Sequence, residues 1–175
     1  YGDGGMVTTQ SDAMAEKLRM LRNHGSKVRY YHDIIGYNSR LDELQAAILR
    51  VQLPHLDGWA GGRRAAAAHY AAAGLGEVVA LPVATDGADP AWHLYVVRSE
   101  RADTVAEAVV AAGHGARAYY RTPVHRQLAM RPYTQETAPL PATDELARTH
   151  LALPMSPVLD REMAAAVTAA VAGPA

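Results

Sequence analysis

The chain has 175 residues, 49% of them hydrophobic and 20% charged, which reads as a soluble globular protein with enough material for one cored domain, or for a small domain carrying part of another. Its formal net charge is −1 and no block of Lys or Arg interleaves with aromatics, so the electrostatic footprint of a nucleic-acid binder is absent. The lack of cysteine removes disulfides, thiolate metal sites and a Cys nucleophile and fits a cytoplasmic protein, and no apolar run approaches the roughly 20 residues that cross a bilayer.

Gly2-Asp3-Gly4-Gly5 reads as a Gly-rich turn leading into a short strand, Met6-Val7-Thr8-Thr9. An opening of this kind is expected inside a domain, as the start of the C-terminal part of a larger polypeptide. Ser11-Asp12 caps a helix in which Met14, Leu18 and Leu21 recur at helical spacing, with Gly25 closing its end. No partner at ligand spacing accompanies His24, so no metal site is expected there.

The next helix is expected to begin at Ser39 and to bury the stripe Leu41, Leu44, Ala47, Ile48 and Val51. Pro54 kinks it or starts a new segment. From His55 to about Ala73 an Ala-rich stretch has high helix propensity despite Gly58, Gly61 and Gly62, which predicts a long bent helix linking two lobes.

A boundary is expected at Gly74-Leu75-Gly76. Beyond it the pattern predicts strands at residues 78–81, 92–97 and 116–120, and helices at about 102–112, 143–151 and 160–171. A long ordered loop is expected between Thr122 and Pro141. Helices alternating with strands over one small sheet make this second lobe α/β or α+β.

The stretch with most chemistry is Tyr30-Tyr31-His32-Asp33-Ile34-Ile35-Gly36-Tyr37-Asn38-Ser39-Arg40-Leu41-Asp42. Ser39 followed by Asp42 has the spacing of a capping box with Asp in place of Glu or Gln. Asn38 then lies just before a helix start, where free N–H groups and the positive end of the dipole favour a phosphate. The plainer reading is that Asn38 closes a turn after Gly36.

Three motifs in order, Gly2-Asp3-Gly4-Gly5-Met6-Val7, Leu18-Arg19-Met20-Leu21-Arg22-Asn23-His24-Gly25 and the string from Gly36 to Ala47, resemble the DegT/StrS-type nucleotide-sugar aminotransferases, a fold-type I family using pyridoxal phosphate (PLP). The resemblance resumes at Trp92-His93-Leu94-Tyr95, at residues 119–125 and at Leu153-Pro154-Met155, so it covers nearly the whole chain. It implies an α/β architecture in three parts: residues 1–57 as the end of the PLP-binding large domain with a dimer-interface helix, residues 58–76 as the linking helix, and residues 77–175 as a small C-terminal α/β (α+β) domain.

The resemblance also implies a site. In such proteins a lysine just upstream of the GDGG turn holds PLP as a Schiff base, so no catalytic residue is expected in this chain; its only lysines, Lys17 and Lys27, do not match that motif. Asn38 is implied to cross a twofold interface and bind the cofactor phosphate of the neighbouring subunit in a homodimer with a shared active site. Arg29, Tyr31 and Arg40 flank it and are candidates for a substrate diphosphate or sugar, because guanidinium forks match phosphate oxygens; the alternative for Arg40 is an ion pair with Asp42 or Glu43, and for Arg29 exposure to solvent. Tyr119, Tyr120 and His125 are candidates for lining a substrate pocket. The family's usual pattern there reads closer to His-Tyr-Pro-x-Pro-x-His, so Tyr119 and Arg121 depart from it.

The implied activity is transfer of an amino group, commonly from glutamate, to a nucleotide-linked keto-sugar, with the fragment alone inactive. Two alternatives stand beside it. One is a PLP-dependent sugar dehydratase of the same family, decided by an upstream residue; the other is a noncatalytic truncated dimerisation module. An isolated His-based enzyme finds no Ser–His–Asp or metal spacing.

Overall fold

A computed structural model describes residues 3–134 and 139–173. Tyr1, Gly2 at the head of the Gly-rich turn, and residues 135–138 of the expected long loop lie outside the described residues. The chain divides into two compact units, Tyr1–Leu56 and Asp57–Ala175.

In the first unit, α1 (Asp12–Arg22) starts where the Ser11 hydroxyl accepts from the Met14 N–H at 3.3 Å, with Arg19 and Arg22 in the last turn, where cations complement the dipole. The chain leaves α1 through His24 and Gly25, both in the left-handed region (φ 59° and 79°). Here two strands of backbone touch. A Cβ on Gly25 would lie 1.7 Å from the Ile34 carbonyl oxygen, and one on Gly36 would lie 2.1 Å from the Gly25 nitrogen, so no side chain fits at either crossing. Ladder-like bonds then pin residues 37–39 to the end of α1: Tyr37 N–H to Leu21 O at 2.7 Å, His24 N–H to Tyr37 O at 2.9 Å and Ser39 N–H to Arg22 O at 3.0 Å.

That pinning corrects the expected helix start. With residues 37–39 tied to the end of α1, the chain turns into helix only after Asp42: α2 (Glu43–Gln52) begins four residues beyond Ser39 and is capped by the Asp42 carboxylate, which accepts from the Gln45 N–H at 2.9 Å. The positive end of α2 is therefore already neutralised by a carboxylate of this chain. The expected buried stripe of α2 is also corrected: none of its residues is buried, and Leu44 and Val51 are 73% and 71% exposed. Gly4 lies close to Leu41 at one edge of that face, and Leu44 and Val51 are left open among the described residues. Residues 6–9 form no strand: no described segment pairs with them. Pro54 sits in a 3₁₀ turn, Leu53–His55.

The second unit holds the core. Helix α3 (Leu56–Ala72) buries Ala66 and Tyr70. Its glycines are not equivalent: a Cβ on Gly62 would meet the Pro157 oxygen at 2.3 Å, whereas nothing lies within 4 Å of one on Gly58. The Tyr70 hydroxyl donates to Pro154 O at 2.6 Å, its ring stacks on Tyr95 at 5.2 Å, and burial pushes its phenol above its ordinary pKa. Strand β1 (Tyr95–Arg98) pairs antiparallel with β2 (His150–Leu153), Tyr95 opposite Leu153.

The expected flanking strands reduce to single bridges, Ala80 to Arg98 and Arg117 to Ala152. On the first side a 3₁₀ turn (Leu75–Glu77) precedes the bridge and Pro82, which has no N–H, follows it, leaving little chain to pair. Helices α4 (Ala102–Ala111) and α7 (Arg161–Ala172) pack on each other, and with β1 and β2 they enclose Val97, Val105, Val109, Leu151 and Val167. The Asp160 carboxylate caps α7 at Met163 N–H. Two 3₁₀ turns and the short α5 (Arg131–Thr134) occupy the described part of the expected loop, and α6 (Pro141–Thr149) feeds directly into β2. The described architecture is thus mixed helix with a small antiparallel sheet.

Candidate functional site

In the first unit the motif residues gather around the loop crossing. The peptide flanks of Asn38 are fixed by the bonds at Tyr37 and Ser39, yet its side chain is exposed. Its Oδ1 accepts from Arg40 Nε at 3.4 Å, and among the described residues its Nδ2 has no hydrogen-bond partner. The amide thus has both donors unspent while its oxygen faces the neighbouring guanidinium, which orients Nδ2 away from Arg40. Arg40 makes no ion pair with Asp42 or Glu43 among the described residues. Arg29 lies over the Tyr30 ring at 5.0 Å, and Tyr31, 71% exposed, is tied back by its N–H to Val28 O at 2.9 Å. Tyr30 has φ 73°, a left-handed conformation that costs a non-glycine residue about 1–2 kcal/mol. His32 Nδ1 donates to His24 O at 2.9 Å, a structural tie.

Lys27 forms an ion pair with Glu16, whose hydrogen bond and charge raise the ammonium pKa above its ordinary value. A lysine held protonated is a poor nucleophile, so Lys27 is unsuited to capture a carbonyl.

In the second unit, Tyr119 and Tyr120 meet edge to face at 5.7 Å and are 41% and 74% exposed, with Arg117 6.0 Å over the Tyr119 ring. His125 is engaged from within: its Nε2 lies 3.1 Å from Asp144 Oδ1, and Arg126 forks onto the same carboxylate at 2.9 and 2.5 Å. The Arg126 hydrogen bond, helped by its charge and by His125, holds the Asp144 carboxyl below the usual carboxylate range. A carboxylate can only accept, so Nε2–H is the donor in this contact, and Nδ1 is the ring nitrogen left for another partner.

Arg121 stands where the resembled pattern often has proline. Its Nη1 donates to the carbonyls of Ala147 (3.0 Å), Arg148 (3.1 Å) and His150 (2.8 Å), and its Nη2 pairs with Asp103. One guanidinium thus closes the C-terminal end of α6 and ties it to α4. Sequence reasoning missed Asp144, and it noted Arg121 only as a departure from the resembled pattern, without its partners. Their partners lie 18 to 29 residues away, a separation no local motif reports; the adjacency of His125 and Arg126 was the available hint that an acid sits nearby.

Among the described residues no group of three or more His, Asp or Glu could hold a metal ion, and no helix is long and apolar enough to cross a membrane. For a PLP cofactor the donor set divides. Asn38 Nδ2 and the Arg40 guanidinium fit a phosphate, being exposed, adjacent and unspent on carboxylates; for the aldehyde end, Lys27 is committed to Glu16.

Sequence and structure comparisons agree on kinship. The chain is 45% identical over 173 residues to the dTDP-3-amino-3,4,6-trideoxy-alpha-D-glucose transaminase of Streptomyces venezuelae, covering 98% of this chain and 45% of that protein. It is 42% identical to the UDP-N-acetyl-3-dehydro-alpha-D-glucosamine 3-aminotransferase of Acidithiobacillus ferrooxidans, over 95% of this chain and 44% of that one. A crystal structure of S. venezuelae DesV in complex with a ketimine intermediate superposes with a TM-score of 0.87 at 43% identity, over 94% of this chain and 44% of that one. The chain spans about 45% of the length of the curated relatives it matches. The profile of the DegT/DnrJ/EryC1/StrS aminotransferase family matches residues 1–172, and the chain belongs to that family.

Proposed function

We propose that this chain is the C-terminal part of a PLP-dependent aminotransferase that moves an amino group, from glutamate, to a nucleotide-linked keto-sugar. The observation that carries the proposal is Asn38: a side chain on a backbone pinned at both neighbours, exposed, with its Nδ2 unspent. Pinning matters because a donor held in place loses little freedom when it binds. In the proposed assembly, a homodimer with a shared active site, Asn38 donates to the phosphate of PLP held by the neighbouring subunit and Arg40 lends charge beside it. The exposed stripe of α2 supports an interface there, since Leu44 and Val51 have no cover within the described chain. When bound, PLP supplies an electron sink for chemistry at the carbon carrying the amino group.

The substrate side is proposed for Arg29, Tyr31 and Arg40 in the first unit and for Tyr119, Tyr120 and His125 in the second. The structure narrows the reading of His125: with Nε2 given to Asp144, the ring nitrogen that remains for substrate is Nδ1. Residues 1–57 are proposed as the end of the large domain, 58–76 as the linking helix and 77–175 as the small domain. The unit break at Leu56 supports the first boundary, and the length of α3, Leu56–Ala72, supports the linker. The lysine that binds PLP is proposed to lie upstream of Tyr1, in a cytoplasmic enzyme, and these 175 residues by themselves are proposed to be inactive.

The test is a PLP titration of the full-length protein. A hydrogen bond to a charged group contributes about 1.5–3 kcal/mol, so Asn38→Ala is expected to weaken PLP about 10- to 100-fold. Unchanged PLP affinity would remove Asn38 from the cofactor site. A full-length protein that binds no PLP would favour the dimerisation module.

A further inference from the structure

The loop between Ser26 and Ile35 presents Tyr30, Tyr31 and Ile35 to solvent, 79%, 71% and 92% exposed. Its backbone is nevertheless closely tied. The Ser26 hydroxyl donates to Val28 O at 2.6 Å, the Tyr31 N–H donates to the same oxygen at 2.9 Å, and the Asp33 N–H donates to Gly25 O at 3.0 Å. Lys27 fastens the loop to Glu16 of α1. Two residues without glycine's freedom stand in the left-handed region, His24 where the loop leaves α1 (φ 59°) and Tyr30 at its tip (φ 73°). Such conformations persist where the surroundings enforce them.

One side chain closes this loop on itself. The Ser26 bond spans two residues and the Lys27 pair runs to α1, whereas His32 Nδ1 reaches back eight residues to His24 O at 2.9 Å. The Asp33 main-chain bond runs beside it and needs no particular side chain, so the imidazole is the part of the closure that depends on residue type. His24, whose oxygen it uses, spends its own N–H on Tyr37 O, next to Asn38. The two polar main-chain groups of His24 therefore fasten the loop bearing Arg29 and Tyr31 and the segment bearing Asn38 to one point.

We propose that His32 is a positioning residue: its Nδ1 bond holds residues 29–31 in one conformation relative to Asn38, so that substrate meets Arg29 and Tyr31 already in place. A loop fixed beforehand loses less freedom on binding. The proposal rests on the reading of Arg29 and Tyr31 as substrate contacts, and it adds a residue that touches neither substrate nor cofactor.

The test combines amide hydrogen exchange of the full-length protein, read by mass spectrometry, with titrations of UDP and of dTDP. His32→Ala removes one hydrogen bond and is expected to speed exchange across residues 28–34 about two- to tenfold and to weaken the tighter-binding nucleotide by a similar factor. Exchange at residues 37–39, held by their own bonds to the end of α1, and PLP affinity should stay within about twofold of the unaltered protein. His32→Asn, whose Nδ2 stands at the reach of the imidazole Nδ1, should restore both quantities, while His32→Gln, whose amide stands where Nε2 does, should not. General loss of stability would move residues 37–39 with the rest and would not separate Asn from Gln. Unchanged exchange across residues 28–34 in His32→Ala, or Asn and Gln variants that behave alike, overturns the proposal at the hydrogen bond. Faster exchange with unchanged nucleotide binding, or no binding of either nucleotide by the unaltered protein, overturns it instead at the substrate reading of Arg29 and Tyr31, so the two failures are told apart.

Discussion

Replacing Arg121 with alanine separates two effects that meet on one side chain. Nη1 reaches three main-chain oxygens at 2.8–3.1 Å at the end of α6 and the start of β2, while Nη2 reaches Asp103, whose side chain is 82% exposed. An exposed ion pair contributes about 0–1 kcal/mol, because water screens it and two long side chains must be held still. Bonds from a charged donor to carbonyls contribute about 1.5–3 kcal/mol each where water is excluded. The Arg121 side chain is 32% exposed, so part of that is recovered by water, and a total of about 2–3 kcal/mol is expected for Arg121→Ala. Asp103→Ala should cost no more than about 0.5–1 kcal/mol. Urea unfolding followed by tryptophan fluorescence reads this directly, since Trp59 and Trp92 both lie in the second unit and Trp92 packs edge-on against Tyr95. If Asp103→Ala cost as much as Arg121→Ala, the ion pair rather than the helix-end carbonyls would be the source of the stability and the reasoning would fail.

Three further outcomes follow from the same geometry. Gly62→Ala should destabilise by about 1–3 kcal/mol, because its Cβ would press on the Pro157 oxygen, whereas Gly58→Ala, with open space around it, should stabilise by about 0.5–1 kcal/mol; thermal melts of the two variants should move in opposite directions. Asp42→Ala should release the Gln45 amide to faster hydrogen exchange and cost α2 about 1 kcal/mol, while Ser39→Ala leaves that amide unchanged. The Asp144 carboxyl titrates below its unfolded value, so its contribution is fully present above about pH 4 and is lost as pH falls through the depressed folded value. Asp144→Asn should therefore lower the urea midpoint at pH 6, and the gap from the unaltered protein should close on acidification; a gap that widens below pH 4 would reverse the sign.

Where local signals and tertiary contacts agreed, the sequence was readable. Helix α1 follows Ser11, the cap the sequence offers, and α7 follows Asp160 within the span expected at about 160–171, because nothing else competes for those two side chains. At α2 something did compete. Ser39 has the right chemistry and spacing, but its N–H is spent on Arg22 O, a pairing set by the crossing at Gly25 and Gly36 that no window of sequence reports. The stripe of α2 was legible as apolar and misread as buried, since periodicity tells which face is apolar and not whether this chain covers it. The strands expected at residues 78–81 and 116–120 had strand composition, but only one residue of each finds a ladder partner. At the site, Asn38 and Arg40 were visible because they are local to one motif. The Asp144 to His125 contact and the Arg121 closure of α6 join distant segments, and only the fold brings them together.

The claim that Asn38 serves the neighbouring subunit is tested most directly by mixing two defective full-length proteins, Asn38→Ala and a variant lacking the proposed upstream PLP lysine. If Asn38 acts across the interface, each mixed dimer regains one intact site, built from the lysine of one protomer and the asparagine of the other, and PLP binding at unaltered affinity returns. If Asn38 acts within its own protomer, no mixed dimer contains an intact site, affinity stays at the level of the variants, and the account of a shared site is wrong.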